Sequence, residues 1–417
     1  MTHPLREAAF ARLWAAGFFG EIGQWALMLA LPLYVLQLTR SALITSAVAL
    51  LGLLPSLVFA PLAGAIADRW NLVVLLVLIS AGQGLLLPAL LLVDDTGDLW
   101  IIYLVSAGEA ALAAMFEAAK NVAVATLVAE DQLVAANAAI GLNANLGRLT
   151  GSPLGGVVLG LWGLPGVVTL GGAAFAGTAC LAATISRHRL DGVVEVAAAP
   201  FWRGIGDALG SLWRIRELRA CMLVEGLLAI AQGMFVVLFL LFITDLLGKG
   251  ETEAGVLRGV QAIGGLIGGV TAGVLARRLG PARLLSAGLL AFGAVSAVTW
   301  NAPSFTTAFG VYIVLFVIVG APGVYTHAGW LAIIQRAAPP HIRGRVLGAI
   351  LGLSDGLQAL GMFIAGVLAG TVSTQVLLNA KVGLFVVAAV LAATLLVPHD
   401  RAGRREPPGQ PIRATAP

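Results

Sequence analysis

Four carboxylates stand where water is scarce: Glu21, Glu109, Glu225 and Asp355 each fall inside a long apolar run of the chain. A charged side chain near mid-bilayer costs roughly 2.5–3.5 kcal/mol on insertion scales, so such groups are retained for work or for pairing. The work open to a carboxyl group out of water is reversible protonation, driven by changes in its surroundings. A proton crossing 100 mV releases roughly 2.3 kcal/mol, which is a usable driving force. The structural alternative is a salt bridge between helices, and Arg148, in a further apolar run, has the right sign to be the partner. Arg148 can also receive an anionic ligand group. His327 can relay protons or sit hydrogen-bonded within a bundle. Gln24, Tyr34, Asn143, Asn145, Gln232 and Gln261 lie in the same runs, and each is open to contact with a small molecule in a cavity or to a bond between helices.

The elements that must position these groups are membrane-crossing helices. Hydrophobic residues make up 59% of the 417 and charged residues only 11%, with a mean hydropathy of +0.95. A soluble domain holds about 45–50% apolar and 25% charged residues, so a water-soluble fold is excluded. At about 20 residues per crossing, the apolar runs give about twelve spans joined by short loops. The expected class is an all-α membrane protein. Buried charges fall in spans 1, 4, 5, 7, 8 and 11 of this count, whereas spans 3, 6, 9 and 12 read as free of interior charge and therefore peripheral to a central cavity.

Charge placement orients the chain. With a cytoplasmic N-terminus, 21 of the 25 Lys and Arg residues fall on the inside, Lys120 among them, and only Arg40, Lys249, Arg258 and Lys381 on the outside. This bias predicts a multi-pass protein of the cell membrane with both termini cytoplasmic, and it accounts for the net charge of +4 without nucleic acid. Met1 to Phe10 leads into an apolar span with no small-residue cleavage site, so the first span is expected to be retained. Cys180 and Cys221 lie far apart within or beside apolar runs, which suits packing rather than a disulfide or metal site. The histidines are dispersed and show no His-Glu-x-x-His pattern. No phosphate-cradling Gly-x-x-x-x-Gly-Lys-Ser/Thr loop occurs. No enzyme activity, metal or cofactor is expected.

An internal repeat divides the chain. The segment from Gly64 to Arg69 resembles that from Gly273 to Arg278 at an offset of 209 residues, and Gly151, Gly156 and Gly160 match Gly361, Gly366 and Gly370 at an offset of 210. Two landmarks with a common offset near half the chain predict two pseudo-symmetric six-helix bundles. The expected division is a first bundle over 1–186, a linker with an amphipathic helix over 187–219, a second bundle over 220–397 and a disordered tail over 398–417. In the linker, Trp202, Trp213 and neighbouring arginines suit a membrane interface.

On these residues the chain resembles the major facilitator superfamily. Gly64, Asp68 and Arg69 match its Gly-x-x-x-Asp-Arg signature between helices 2 and 3, and the stretch from Gly147 to Gly156 is similar to the Gly/Pro motif that its exporters carry in helix 5. The segments Phe116 to Asn137 and Gln335 to Val346 are similar to the drug-proton antiporter branch that includes macrolide-efflux and enterobactin-exporter-like proteins. The resemblance implies a secondary transporter that moves a small amphiphilic molecule out of the cell in exchange for protons, working as a monomer in the bilayer. It makes Gly64, Asp68, Arg69, Gly151 and Pro153 a conformational latch. Glu21 and Glu109 become the leading proton carriers, followed by Glu225 and Asp355. An importer of the same fold is the nearest rival, ahead of a transporter-like sensor or a membrane-embedded enzyme.

Overall fold

The computed structural model describes residues 6–55, 71–129, 132–185, 210, 213–339 and 343–397. The signature residues Gly64, Asp68 and Arg69, nearly all of the linker and the tail lie outside the described residues. The first half contains α1 (Ala8–Thr39), α2 (Ala42–Leu51), α3 (Leu72–Leu86), α4 (Leu99–Leu127) and α5 (Leu133–Ala183). The second contains α6 (Arg216–Leu241), α7 (Glu251–Leu279), α8 (Pro281–Asn301), α9 (Phe309–Ala337), α10 (Arg343–Leu368) and α11 (Thr374–Leu395). Ten helices are long and apolar enough to cross a membrane among the described residues. One of them, α5, is long enough to cross twice: Gly163 at φ 62° and ψ −157°, followed by Pro165, breaks it in the middle. Only glycine adopts that backbone cheaply, and the proline removes a donor just beyond it. With the two limbs of α5 counted apart and α2 included, the twelve-span reading stands. Leu85, Leu104, Val298 and Val314 lie exposed on the outside, a surface suited to lipid.

The apolar core shows which end of the bundle is closed. One buried cluster runs across both halves, joining Leu33, Val48 and Leu164 of the first to Phe239, Leu257 and Leu378 of the second. Toward the end where α1, α3 and α6 begin, the core splits into two separate clusters. One is built around Leu13, Leu76 and Phe116, the other around Leu218, Leu285 and Trp330. The halves therefore meet at one end and part at the other.

Glycines make the meeting possible. A Cβ on Gly156 would come within 2.9 Å of the Gly255 Cα, and one on Gly259 within 2.7 Å of the Pro153 Cδ, so α5 and α7 touch backbone to backbone. On the opposite side, a Cβ on Gly366 of α10 would lie 2.7 Å from the Ser46 Cβ of α2. Gly151 packs within its own half, against Ile22 of α1, and Gly361 does the same against Ile230 of α6. Two of the three repeat pairs thus perform matching tasks, one packing inside each bundle and one sealing across bundles, whereas Gly160 faces Thr252 and Gly370 faces nothing. At the parted end, by contrast, a Cβ on Gly141, Gly269, Gly273, Gly348 or Gly352 would meet nothing.

Two lysines overturn part of the charge reading. Lys120, assigned from sequence to a cytoplasmic segment, lies within α4 at 2% exposure, and Lys381, assigned to the outside, lies within α11 at 1%. The last span is therefore not free of interior charge. Each lysine sits toward one end of an apolar run, where sequence alone does not separate a loop ammonium from a buried one. Its long apolar stem packs inside the helix bundle, while the charge finds carboxylates in one case and aromatic rings in the other.

Candidate functional site

A cavity of about 390 Å³ lies between the halves, within the range of small-molecule pockets. Its walls are mostly apolar, from Trp25, Met28, Pro32, Val48, Val236 and Met362 among others. Its polar groups come chiefly from the first half: Glu21 and Gln24 on α1, and Ser106, Glu109 and Glu117 on α4, faced by Gln358 of α10. Among the described residues no Arg or Lys lines it.

Glu109, 8% exposed, accepts one hydrogen bond, from Gln83 Nε2 on α3 at 3.1 Å. Its other oxygen, Oε1, is buried without a partner, as is the hydroxyl of Ser106 one turn earlier on the same helix face. Glu21 is set differently. Its Cβ packs against Gly147, where α5 crosses α1, and Lys120 Nζ stands 3.7 Å from its Oε1. Lys120 is bonded more closely to Glu117, one turn away on α4. Two carboxylates thus share one ammonium, and Glu117 is the more exposed partner at 46%. Glu117 and Lys120 were not singled out from sequence. The signal was present, because Glu109, Glu117 and Lys120 share one face at helical spacing.

Two cations approach Trp25, one from each half. Arg258 on α7 lies 4.8 Å from the ring centroid of Phe235 and 6.0 Å from those of Trp25 and Phe239. Arg148 reaches toward the same tryptophan at 5.6 Å and donates from Nη2 to Asn145 Oδ1 at 3.3 Å. Gln232, Gln261 and Lys381 line a separate small hollow.

Other sequence candidates are placed elsewhere. Asn143 is 1% exposed and donates to the Trp14 carbonyl at 2.7 Å, tying α5 to α1. Tyr34 packs at the margin of the shared core. Glu225 accepts from the Ser354 hydroxyl at 3.0 Å, beside Asp355 on α10 and away from the main cavity. His327 is exposed, with its ring 5.7 Å from that of Trp330. Among the described residues no group of three or more His, Cys, Asp or Glu is placed to hold a metal ion.

A family model described as a transmembrane secretion effector, within the major facilitator superfamily, matches residues 1–411. The chain belongs to the major facilitator superfamily. It is a transporter rather than an enzyme, and a multi-pass membrane protein. Among its relatives, the multidrug efflux pump Tap of Mycolicibacterium fortuitum is 29% identical over 392 residues, covering 88% of this chain and 91% of that protein. Macrolide efflux protein A of Streptococcus pyogenes is 22% identical over 373 residues, covering 89% and 90% respectively. The crystal structure of a bacterial homologue of the human lysosomal transporter Spinster, inward-facing and unoccupied, superposes with a TM-score of 0.74 at 16% identity, covering 98% of this chain and 100% of that one. That likeness concerns the fold.

Proposed function

We propose that this facilitator exports a small amphiphilic molecule from the cell by alternating access, driven by protons entering through the carboxylates of the first half. It works as a monomer in the cell membrane with both termini cytoplasmic, so the parted end faces the cytoplasm and the glycine-sealed end faces outward. The observation that carries the reading is Glu109: a buried carboxylate in a mostly apolar cavity, with one amide partner, one bare oxygen and no cation in the lining among the described residues. An ionised carboxylate there is poorly compensated, so its charge is tied to what enters the cavity, whether a proton or a cationic group on the cargo. Competition between the two is the elementary step of an exchanger. Glu21, Lys120 and Glu117 form a second set whose pairing can redistribute as the cavity wets and dries, passing the proton along α1 and α4. Gln24, Trp25 and Gln358 hold the cargo, and Pro153 with Gly151 lets α5 bend and seal. The efflux-pump relatives support the outward direction.

The test is transport by purified protein in liposomes under an imposed pH gradient, comparing wild type with Glu109→Gln and Glu21→Gln. Hydrophobic cationic dyes serve as probe cargo. Gradient-driven dye movement toward the acidic side, lost in Glu109→Gln, is the expected result. Gradient-insensitive transport, or a Glu109→Gln protein as active as wild type, overturns the coupling. Movement toward the basic side makes the protein an importer.

A further inference from the structure

The hollow around Lys381 is walled off from the carboxylate cavity, and the transport cycle above makes no use of it. It is enclosed by α6, α7, α8, α9 and α11 and holds about 10 Å³ of free space, room for one water-sized body. Lys381 faces it at 1% exposure, with Nζ 4.2 Å from the ring centroid of Phe235, 5.1 Å from that of Trp300 and 5.4 Å from that of Phe385. Its ammonium makes no hydrogen bond or ion pair with any described residue. Arg258 approaches the same Phe235 ring at 4.8 Å, so two cations crowd one aromatic side chain. Aromatic faces recover only part of a buried cation's desolvation cost.

Two further polar groups of the hollow are donors without an acceptor. The Ser296 hydroxyl and the Trp300 indole N–H are both buried without partners, and they stand four residues apart on one face of α8. Gln261 also lines the hollow, with its amide oxygen unpartnered. Because amide oxygen and nitrogen are assigned rather than seen, a turn of that amide offers its N–H₂ to the same space. Among the described residues no carboxylate lines the hollow. The amides of Asn301, Asn379 and Gln375 nearby bond to one another and supply no charge.

We propose that this hollow binds one small monovalent inorganic anion, a halide, held by the charge of Lys381 and by the Ser296 and Trp300 donors. So small a space rejects phosphate, sulfate and a carboxylate-bearing cargo and leaves a monatomic halide, chloride before bromide. A water molecule would satisfy the hydroxyl and the indole but would leave Lys381 uncompensated. The site stands whether or not cargo moves through the main cavity.

Equilibrium dialysis of the full-length protein in detergent against radiolabelled chloride, with gluconate holding the ionic strength, tests this directly. The expected result is one saturable chloride per chain, weakened about tenfold or more in Lys381→Met and by a smaller factor in Trp300→Phe and Ser296→Ala. Bromide competes for the site and sulfate does not. Absence of saturable chloride binding to the wild type overturns the proposal. So does unchanged affinity in a Lys381→Met protein of native helicity. Should that variant fail to fold, unchanged affinity in the Ser296→Ala, Trp300→Phe double variant is equally decisive, and a loss of affinity there supports the site.

Discussion

The two halves share a helix plan and a glycine repeat, yet the main cavity and the hollow of the second half are lined by different charges. On the wall of the first half, Glu21 and Glu117 share the ammonium of Lys120, and Glu109 has no cation partner among the described residues. In the second half, Arg258 and Lys381 rest on the rings of Phe235, Phe239 and Trp300 with no carboxylate partner among the described residues. At the offset set by the glycines, the place of Glu21 falls among Ala229, Ile230 and Ala231, and that of Lys381 at Gly171 and Gly172. The repeat therefore conserves how helices approach and leaves the ionisable groups free to differ. A duplicated scaffold needs its close contacts twice, because both bundles must pack and seal. Coupling chemistry need be built only once.

Breaking the shared part is expected to have the largest effect. Gly156→Leu places a side chain where the Gly255 backbone already lies 2.9 Å from the position of a Cβ, so the halves cannot meet at the sealed end. Transport in liposomes should fall to background, and a cysteine placed at Thr252 should become reactive toward a membrane-impermeant thiol reagent. Next comes the chemistry that belongs to one half. Glu109→Gln should cut gradient-driven transport by about 100-fold, the scale of a lost proton-transfer group, while exchange of cargo down its own gradient persists. A third comparison weighs charge pairs in the two halves. Lys120→Met leaves Glu21 and Glu117 without their shared cation and should cost about 1–3 kcal/mol, reduced from the fully buried case because Glu117 reaches solvent. Glu225→Gln removes only the charge from a carboxylate bonded to the Ser354 hydroxyl and should cost about 1 kcal/mol or less. Thermal unfolding in detergent ranks the two, and the reverse order would undo the contrast between halves. Asn143→Ala is the smallest perturbation. It frees the Trp14 carbonyl and should lower stability by about 1 kcal/mol without altering the proton dependence of transport.

The sequence by itself determined the class, the count of spans and the two-half plan. These follow from composition, run length and a fixed offset, which are one-dimensional properties. It also marked Glu21 and Glu109, because a carboxylate within a long apolar run is visible wherever the helix faces. It did not separate Glu109, with a bare oxygen, from Glu21, which shares a lysine, since that difference depends on Gln83 and Lys120 arriving from α3 and α4. It misplaced Lys120 and Lys381 for the same reason: a lysine near the end of an apolar run reads as a loop charge until neighbouring helices close over it. It grouped Asn143 with the cavity, whereas the packing of α5 on α1 turns that amide to the Trp14 carbonyl. Only the tertiary structure decided which end is sealed and that Glu109 and Lys381 face different hollows. Periodicity fixes which residues share a helix face; what that face meets is set by how close two backbones come, and here glycine contacts between distant segments govern that approach.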